Sequence, residues 1–389
     1  LAIDWAARRD DAGPYLRAVS IYLCSRLVVL LALDVGGIYV TPWKGGTWQT
    51  GPHWYEHLLR WDSQWYAGIA ENGYHYNGVP TGDLQPVVFY PLYPLLSRLV
   101  AAITGISPAV ALLVVANTAA VLAVLLLFRL VRRHRDDDVA FVAVAVLSFY
   151  PGSLFLSAGY TEALALFLML CCFTLLDSRR YVAASIAAGL ALATRSVGVV
   201  LLPVILWELW LGFRTDCKRV VVYALGCLAI ASAGLWLYML YLGLAFGHPF
   251  AFADAQAAFN GDTSLASRSI AALTLQPFRH LRFTDFSPSG LDQWFFILLM
   301  ALTIAGCRRL RPSLTLFSLG VLLVPYLTLS GGPGEFTSMA RFGVLAFPAF
   351  IVLAEYGRRW LWLSIATIGL FAAVLALYAA LFAQWVWVD

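Results

Sequence analysis

The chain has 389 residues, 61% of them hydrophobic and only 12% charged. Soluble globular proteins carry about a quarter charged residues, so a water-facing fold is excluded, and 14% aromatic content excludes disordered and fibrous classes. A formal net charge of +4 is too small to point to nucleic acid. What remains is a polytopic helical membrane protein.

Eleven apolar runs approach the length needed to cross a bilayer, ~20 residues. In chain order they cover 18–40, 108–131, 139–156, 163–176, 181–194, 197–213, 220–246, 294–304, 314–329, 342–356 and 360–385. Counted from the first loop, every second connection is basic: Arg8/Arg9/Arg17, Arg132/Arg133/Arg135, Arg179/Arg180, Arg214/Lys218/Arg219, Arg308/Arg309/Arg311 and Arg358/Arg359. The positive-inside rule then gives an N-in, C-out topology. Trp360 and Trp362 fit an inner aromatic belt, Trp385 and Trp387 an outer one. No cleavable signal peptide is expected at the start. The six cysteines form no CxxC pair, so neither a disulfide framework nor a zinc site is expected.

Two outer loops, about 41–107 and 247–292, are far longer than simple connectors and are therefore functional candidates. The first contains amphipathic stretches at 55–69 and 87–103, expected as helices lying at the outer interface. No internal repeat or separable soluble domain is visible, so residues 1–389 read as one integral membrane domain.

The outer loops hold few basic residues for their length. In Arg60-Trp61-Asp62-Ser63-Gln64-Trp65-Tyr66, Asp62 is a carboxylate among large aromatics, a setting that suits a general base. The competing reading is a cap for a short helix starting near Ser63. Glu162 falls between two spans, where an ionisable group is costly and a functional candidate by default; alternatively it complements a helix dipole. Arg195 and Arg341 are isolated outer cations. They run against the topology rule, which favours phosphate binding over snorkelling. His248, beside Pro249, reads as a turn residue. Asp254, Asp262, Arg268, Arg279, His280, Arg282, Asp285 and Asp292 read as a solvated face. This loop has no HxxxH, HExxH or Asp-x-Asp cluster, so no dedicated metal site is expected. The chain has no P-loop, GxSxG or GxGxxG, which argues against an ATP-driven pump or a soluble-type hydrolase.

The run Arg60 to Tyr74, followed by Phe89-Tyr90-Pro91-Leu92-Tyr93-Pro94, resembles the PIG-V mannosyltransferases. So do Ser157-Ala158-Gly159-Tyr160-Thr161-Glu162-Ala163, Thr194-Arg195-Ser196-Val197-Gly198 and Ser338-Met339-Ala340-Arg341-Phe342, in the same order. Family members often carry Asn where Val197 stands and Tyr where Phe342 stands. The resemblance implies a GT-C architecture with an extracytoplasmic site, in the cell membrane of a prokaryote or the ER membrane of a eukaryote. It further implies a polyprenyl or dolichyl phosphomannose donor, a lipid-linked glycan acceptor and inversion at the anomeric carbon. The family's acidic positions fall on Asp62 and Glu162. Arg195 and Arg341 are the expected phosphate ligands, with Trp61, Gln64, Tyr66, His75, Tyr90, Tyr93, Tyr160 and His248 toward the sugar. No nucleotide, metal or other cofactor is needed in principle. The alternative is a polytopic lipid or solute transporter; it would be expected to show repeat symmetry, which is missing here.

Overall fold

A computed structural model describes residues 12–42, 53–78, 83–213, 215–259, 265–285, 287–329 and 336–388. Arg8, Arg9, Arg214 and Asp262 lie outside the described residues, as do parts of both long loops.

Among the described residues the regular structure is entirely helical. α1 (Ala12–Tyr39) precedes the first long loop, which holds α2 (Asp62–Asn72) and α3 (Leu92–Thr104). α4 (Pro108–His134), α5 (Asp137–Phe149), α6 (Glu162–Asp177), α7 (Tyr181–Thr194), α8 (Leu201–Phe213) and α9 (Cys217–Phe246) follow. The second long loop carries α10 (Ala251–Phe259), α11 (Leu265–Leu273) and α12 (Gln276–Arg279). α13 (Pro288–Gly306), α14 (Pro312–Leu329), α15 (Met339–Gly343), α16 (Phe347–Arg359) and α17 (Leu361–Ala383) complete the order. All eleven apolar runs are largely helical. By length and composition, seven segments among the described residues are long and apolar enough to cross a membrane: α1, α4, Ser196–Phe213 through α8, most of α9, α13, α14 and α17.

Boundaries follow local chemistry. Ser107 Oγ accepts the amide of Val110 at 3.3 Å to start α4, and Pro108 fills its first turn. α4 ends in Arg132, Arg133 and His134, which suit the negative end of a helix dipole. Asp136 Oδ1 then accepts the amide of Val139 at 3.0 Å to open α5.

The run expected at 139–156 is not one helix. α5 stops at Phe149 and a 3-10 segment covers Pro151–Leu156. Proline lacks an amide hydrogen and disfavours helix in the residue before it. The break frees carbonyls inside the bundle, and Arg26 of α1 answers them. Its buried guanidinium donates to Ser148 O at 2.7 Å and Ser153 O at 2.6 Å, and to the hydroxyls of Ser153 and Ser157. Irregular backbone at membrane depth is tolerated only where protein groups satisfy it in this way.

The amphipathic stretches of the first loop are also interrupted. Each is a 3-10 turn followed by a helix: Trp54–Leu58 then α2, and Pro86–Val88 then α3. Trp61, at φ 52°, makes the first corner.

Small residues let helices approach. α7 crosses α9 where Gly189 meets Gly234; a side chain at 234 would collide with the Gly189 carbonyl. α1 meets α17 at Gly36, against the Ala380 backbone. This is the small-residue packing that membrane bundles use.

The basic loops gather at one end of the bundle, tied by acids in neighbouring turns. Arg132 pairs with Asp137 at 2.7 Å, and Arg311 with Glu208 at 2.9 Å. Arg311 also binds Asp177, Arg135 binds Glu355, and Arg358 binds Asp136. These cations therefore hold loops together as well as marking a side. At the other end, Trp385 is buried against Trp61 rather than standing in an interfacial belt, and Trp387 packs there too. Trp360 and Trp362 are exposed, as a belt requires.

Candidate active site

Four charged side chains from four separate stretches converge at the end of the bundle opposite the basic loops. Asp62 is the first residue of α2 and Glu162 the first of α6; Arg195 follows α7, and Arg341 lies in α15. Arg341 Nη2 sits 2.8 Å from Asp62 Oδ2. Arg341 Nε and Arg195 Nη1 both bind Glu162 Oε1. Arg195 Nη1 also donates to Thr161 Oγ1 at 3.0 Å.

The four differ in access. Glu162 has no exposed side chain, Arg341 is 6% and Arg195 11% exposed, and Asp62 is 20% exposed. Asp62 is the member best placed to meet a substrate, and Glu162 stands behind both guanidiniums. Both carboxylates stand in the first turn of a helix, where the dipole favours an acid, and both also bind arginine. Aromatic faces complete the guanidinium environments. Arg195 lies 4.2 Å from the Phe342 ring centroid and Arg341 4.5 Å from that of Tyr160. The two arginines are thus buried in the cluster, not snorkelling.

Of the expected sugar-contacting residues, Tyr66 and Tyr160 stand at the cluster. Burial, reinforced by the neighbouring Asp62 charge, pushes the Tyr66 phenol above its ordinary range, so it stays a neutral donor. Gln64 and His75 are exposed. The others are committed elsewhere. The Trp61 ring packs edge-on against Trp385 and Trp387 at 5.8 and 5.0 Å. Tyr93 is fully buried and donates to Leu112 O at 2.9 Å. Tyr90 turns to Tyr238 and Phe252. His248 pairs with Asp254 at 2.7 Å, beside Tyr76.

Residues not singled out by the sequence hold this site. Asp292, expected on a solvated face, is fully buried, and its Oδ1 accepts the amide of Ala340 at 2.7 Å, next to Arg341. It works with Ser338, whose φ of 59° bends the chain into α15. Arg60 is 2% exposed; its Nε donates to Ala383 O at 3.3 Å and its Nη2 to His57 Nδ1 at 3.0 Å. This fastens the stretch before Asp62 to the end of α17. The sequence signal for Arg60 was its place in the motif; for Asp292 there was none.

An apolar groove of about 610 Å³ opens between α2, α3, α7 and α9. Its lining includes Ile69, one turn beyond Tyr66, and Ala193, two residues before Arg195. Arg98 stands at its rim and donates to Glu71 O at 2.8 Å. The groove thus runs from near the charged cluster along apolar helix faces.

No curated protein matches the chain. Among solved structures, the oligosaccharyltransferase of Archaeoglobus fulgidus tethered with an acceptor peptide is 15% identical, covering 96% of this chain and 55% of its own, with a TM-score of 0.46. ArnT from Cupriavidus metallidurans, bound to undecaprenyl phosphate, is 14% identical over 95% of this chain and 76% of its own, with a TM-score of 0.48. This chain spans about half the length of the archaeal oligosaccharyltransferase. The family described as mannosyltransferase (PIG-V) matches residues 49–252, which include Asp62, Glu162 and Arg195. With just over half of its length matched in this way, the chain belongs to the PIG-V mannosyltransferase family.

Proposed function

We propose that this chain is an integral membrane glycosyltransferase, acting as one domain. It moves mannose from a polyprenyl or dolichyl phosphate donor to a hydroxyl of a lipid-linked glycan, with inversion, on the extracytoplasmic face. Family membership supports the reaction class. The observation that carries the mechanism is the single Arg341 side chain joined to both Asp62 and Glu162.

In this mechanism Asp62 accepts the proton of the acceptor hydroxyl while that oxygen attacks the anomeric carbon. The bond from that carbon to the donor phosphate oxygen breaks on the opposite face. Arg341 and Arg195 take up the charge that grows on the phosphate, in a site where water is largely excluded. Glu162 is a positioning residue: one buried oxygen orients two guanidiniums. The groove between α2, α3, α7 and α9 takes the isoprenoid tail, Tyr66 stands beside the sugar, and the fully buried Tyr160 supports Arg341 through its ring face. The groups present supply a base and phosphate ligands without calling on a metal.

Purified protein supplied with labelled polyprenyl phosphomannose and a lipid-linked acceptor should release polyprenyl phosphate in step with glycan labelling. Donor that stays intact during an equal period of binding would refute the assignment.

A further inference from the structure

We propose that Arg26, halfway along α1, is a positioning residue for sugar transfer. It fixes the spacing of Asp62 and Arg341 through the irregular stretch between α5 and α6. This role presupposes the transfer reaction proposed above. A guanidinium at membrane depth is costly, and Arg26 pairs with no carboxylate among the described residues. Its hydrogen-bond partners are Ser25, Ser148, Ser153 and Ser157.

Satisfying freed carbonyls does not by itself call for a charge. Asn117 of α4 does the same with a neutral amide, donating to Ser157 O at 3.1 Å and Leu113 O at 2.9 Å. What the guanidinium adds is a rigid planar fork. Its Nη2 holds Ser148 O and Ser153 Oγ at 2.7 and 2.8 Å, and its Nη1 holds Ser153 O and Ser157 Oγ at 2.6 and 3.1 Å. The fork therefore sets the distance from the end of α5 to Ser157.

The stretch it grips is the one on which the site is assembled. Residues 150–163 are all buried. Gly152 lies against the Ala340 carbonyl, one residue before Arg341, with no room for a side chain. The Phe155 and Tyr160 rings lie 5.3 and 4.5 Å from the Arg341 guanidinium. Gly159 N donates to Leu58 O at 3.0 Å, and a side chain at 159 would press on Ser63, the residue after Asp62. Glu162 opens the helix that follows. One length of chain thus touches the flanks of both Asp62 and Arg341. A slip between Ser148 and Ser157 moves the base and the phosphate ligand relative to each other.

The test uses the full-length protein. R26K keeps the charge and some donors but loses the fork. Its kcat should fall by about 30-fold, since a misplacement of about 1 Å costs about 100-fold. Donor KM should stay within about threefold, because Arg26 does not line the tail groove. Should R26K fail to fold, S153A/S157A unhooks two of the fork's four acceptors and should lower kcat by about tenfold. In the D62N background either change should cost less than about threefold, because the base whose placement it sets is gone. Losses that simply multiply, or a kcat within about twofold of the parent, would overturn the proposal. Hydrogen exchange reads the grip without activity: R26K should quicken exchange in peptides covering 58–66 and 338–343 as well as 148–157. Exchange that quickens in 148–157 alone, or nowhere, would also overturn it. A parent protein that binds donor and leaves it intact refutes the glycosyltransferase assignment instead, and the exchange result still judges the grip.

Discussion

Asp62→Asn is the most informative single change. Asparagine keeps the shape and leaves a carbonyl oxygen for the Arg341 donor that now sits 2.8 Å from Asp62 Oδ2, so the cluster should hold its geometry. Proton affinity is lost. Removing a positioned general base costs about 10²–10⁴ in turnover, or roughly 3–5 kcal/mol of barrier. Binding should move the other way. The four charges sum to zero in the parent and to +1 in the variant, which frees Arg341 for the donor phosphate. A full charge about 5 Å away at an effective dielectric of 20 gives about 3 kcal/mol. With Asp62 20% exposed, screening reduces this to about 1 kcal/mol, a fall of roughly fivefold in donor KM. The assay follows label from polyprenyl phosphomannose into the lipid-linked glycan fraction of membranes, with donor binding measured on the same preparation. Turnover within about threefold of the parent, or turnover and donor binding lost together, would remove Asp62 as the base.

Other expectations follow from neighbouring contacts. Glu162→Gln withdraws the one buried charge facing both arginines and should destabilise the protein by about 3–5 kcal/mol; an unchanged Tm in detergent would contradict this. Asp292→Ala frees the Ala340 amide and should lower kcat while sparing fold, as read by turnover against circular dichroism; Asp292→Asn should rescue part of it. Gly234→Leu pushes a side chain into the Gly189 carbonyl, an overpacking cost of about 1–3 kcal/mol or more, visible as a lowered Tm. His57 is held below its usual range by burial and by Arg60. Unfolded chain therefore binds the proton more tightly, and stability should fall as pH drops below the ordinary histidine value of about 6.5. His57→Gln should flatten that slope in pH-dependent melting.

The membrane bundle was legible because apolar runs and basic loops are local patterns: each of the eleven runs is helical. The four charges of the candidate site stand out in the sequence for the opposite reason, since Asp62, Glu162, Arg195 and Arg341 each interrupt an apolar background. That they touch was not legible, because Glu162 and Arg341 are brought together only by packing across 179 positions. The aromatics were harder still. Trp61, Tyr90 and Tyr93 all look fit for a sugar in the sequence, yet the first packs on Trp385 and Trp387, the second on Tyr238, and the third donates to a backbone carbonyl. Asp292 and Arg26 were invisible because their partners are main-chain atoms, which every residue offers.

The neutrality of the Asp62–Arg341–Glu162–Arg195 cluster has a consequence for timing. Two carboxylates and two guanidinium ions at rest offer an arriving phosphodiester little net field. In the mechanism proposed here, once Asp62 takes the acceptor's proton, its claim on Arg341 lapses and the cluster becomes cationic. That happens in the same step in which the departing phosphate acquires its second negative charge. Arg341 thus acts as a relay, passing from the spent base to the leaving group, so that bond formation on one face of the sugar and bond breaking on the other are electrostatically coupled.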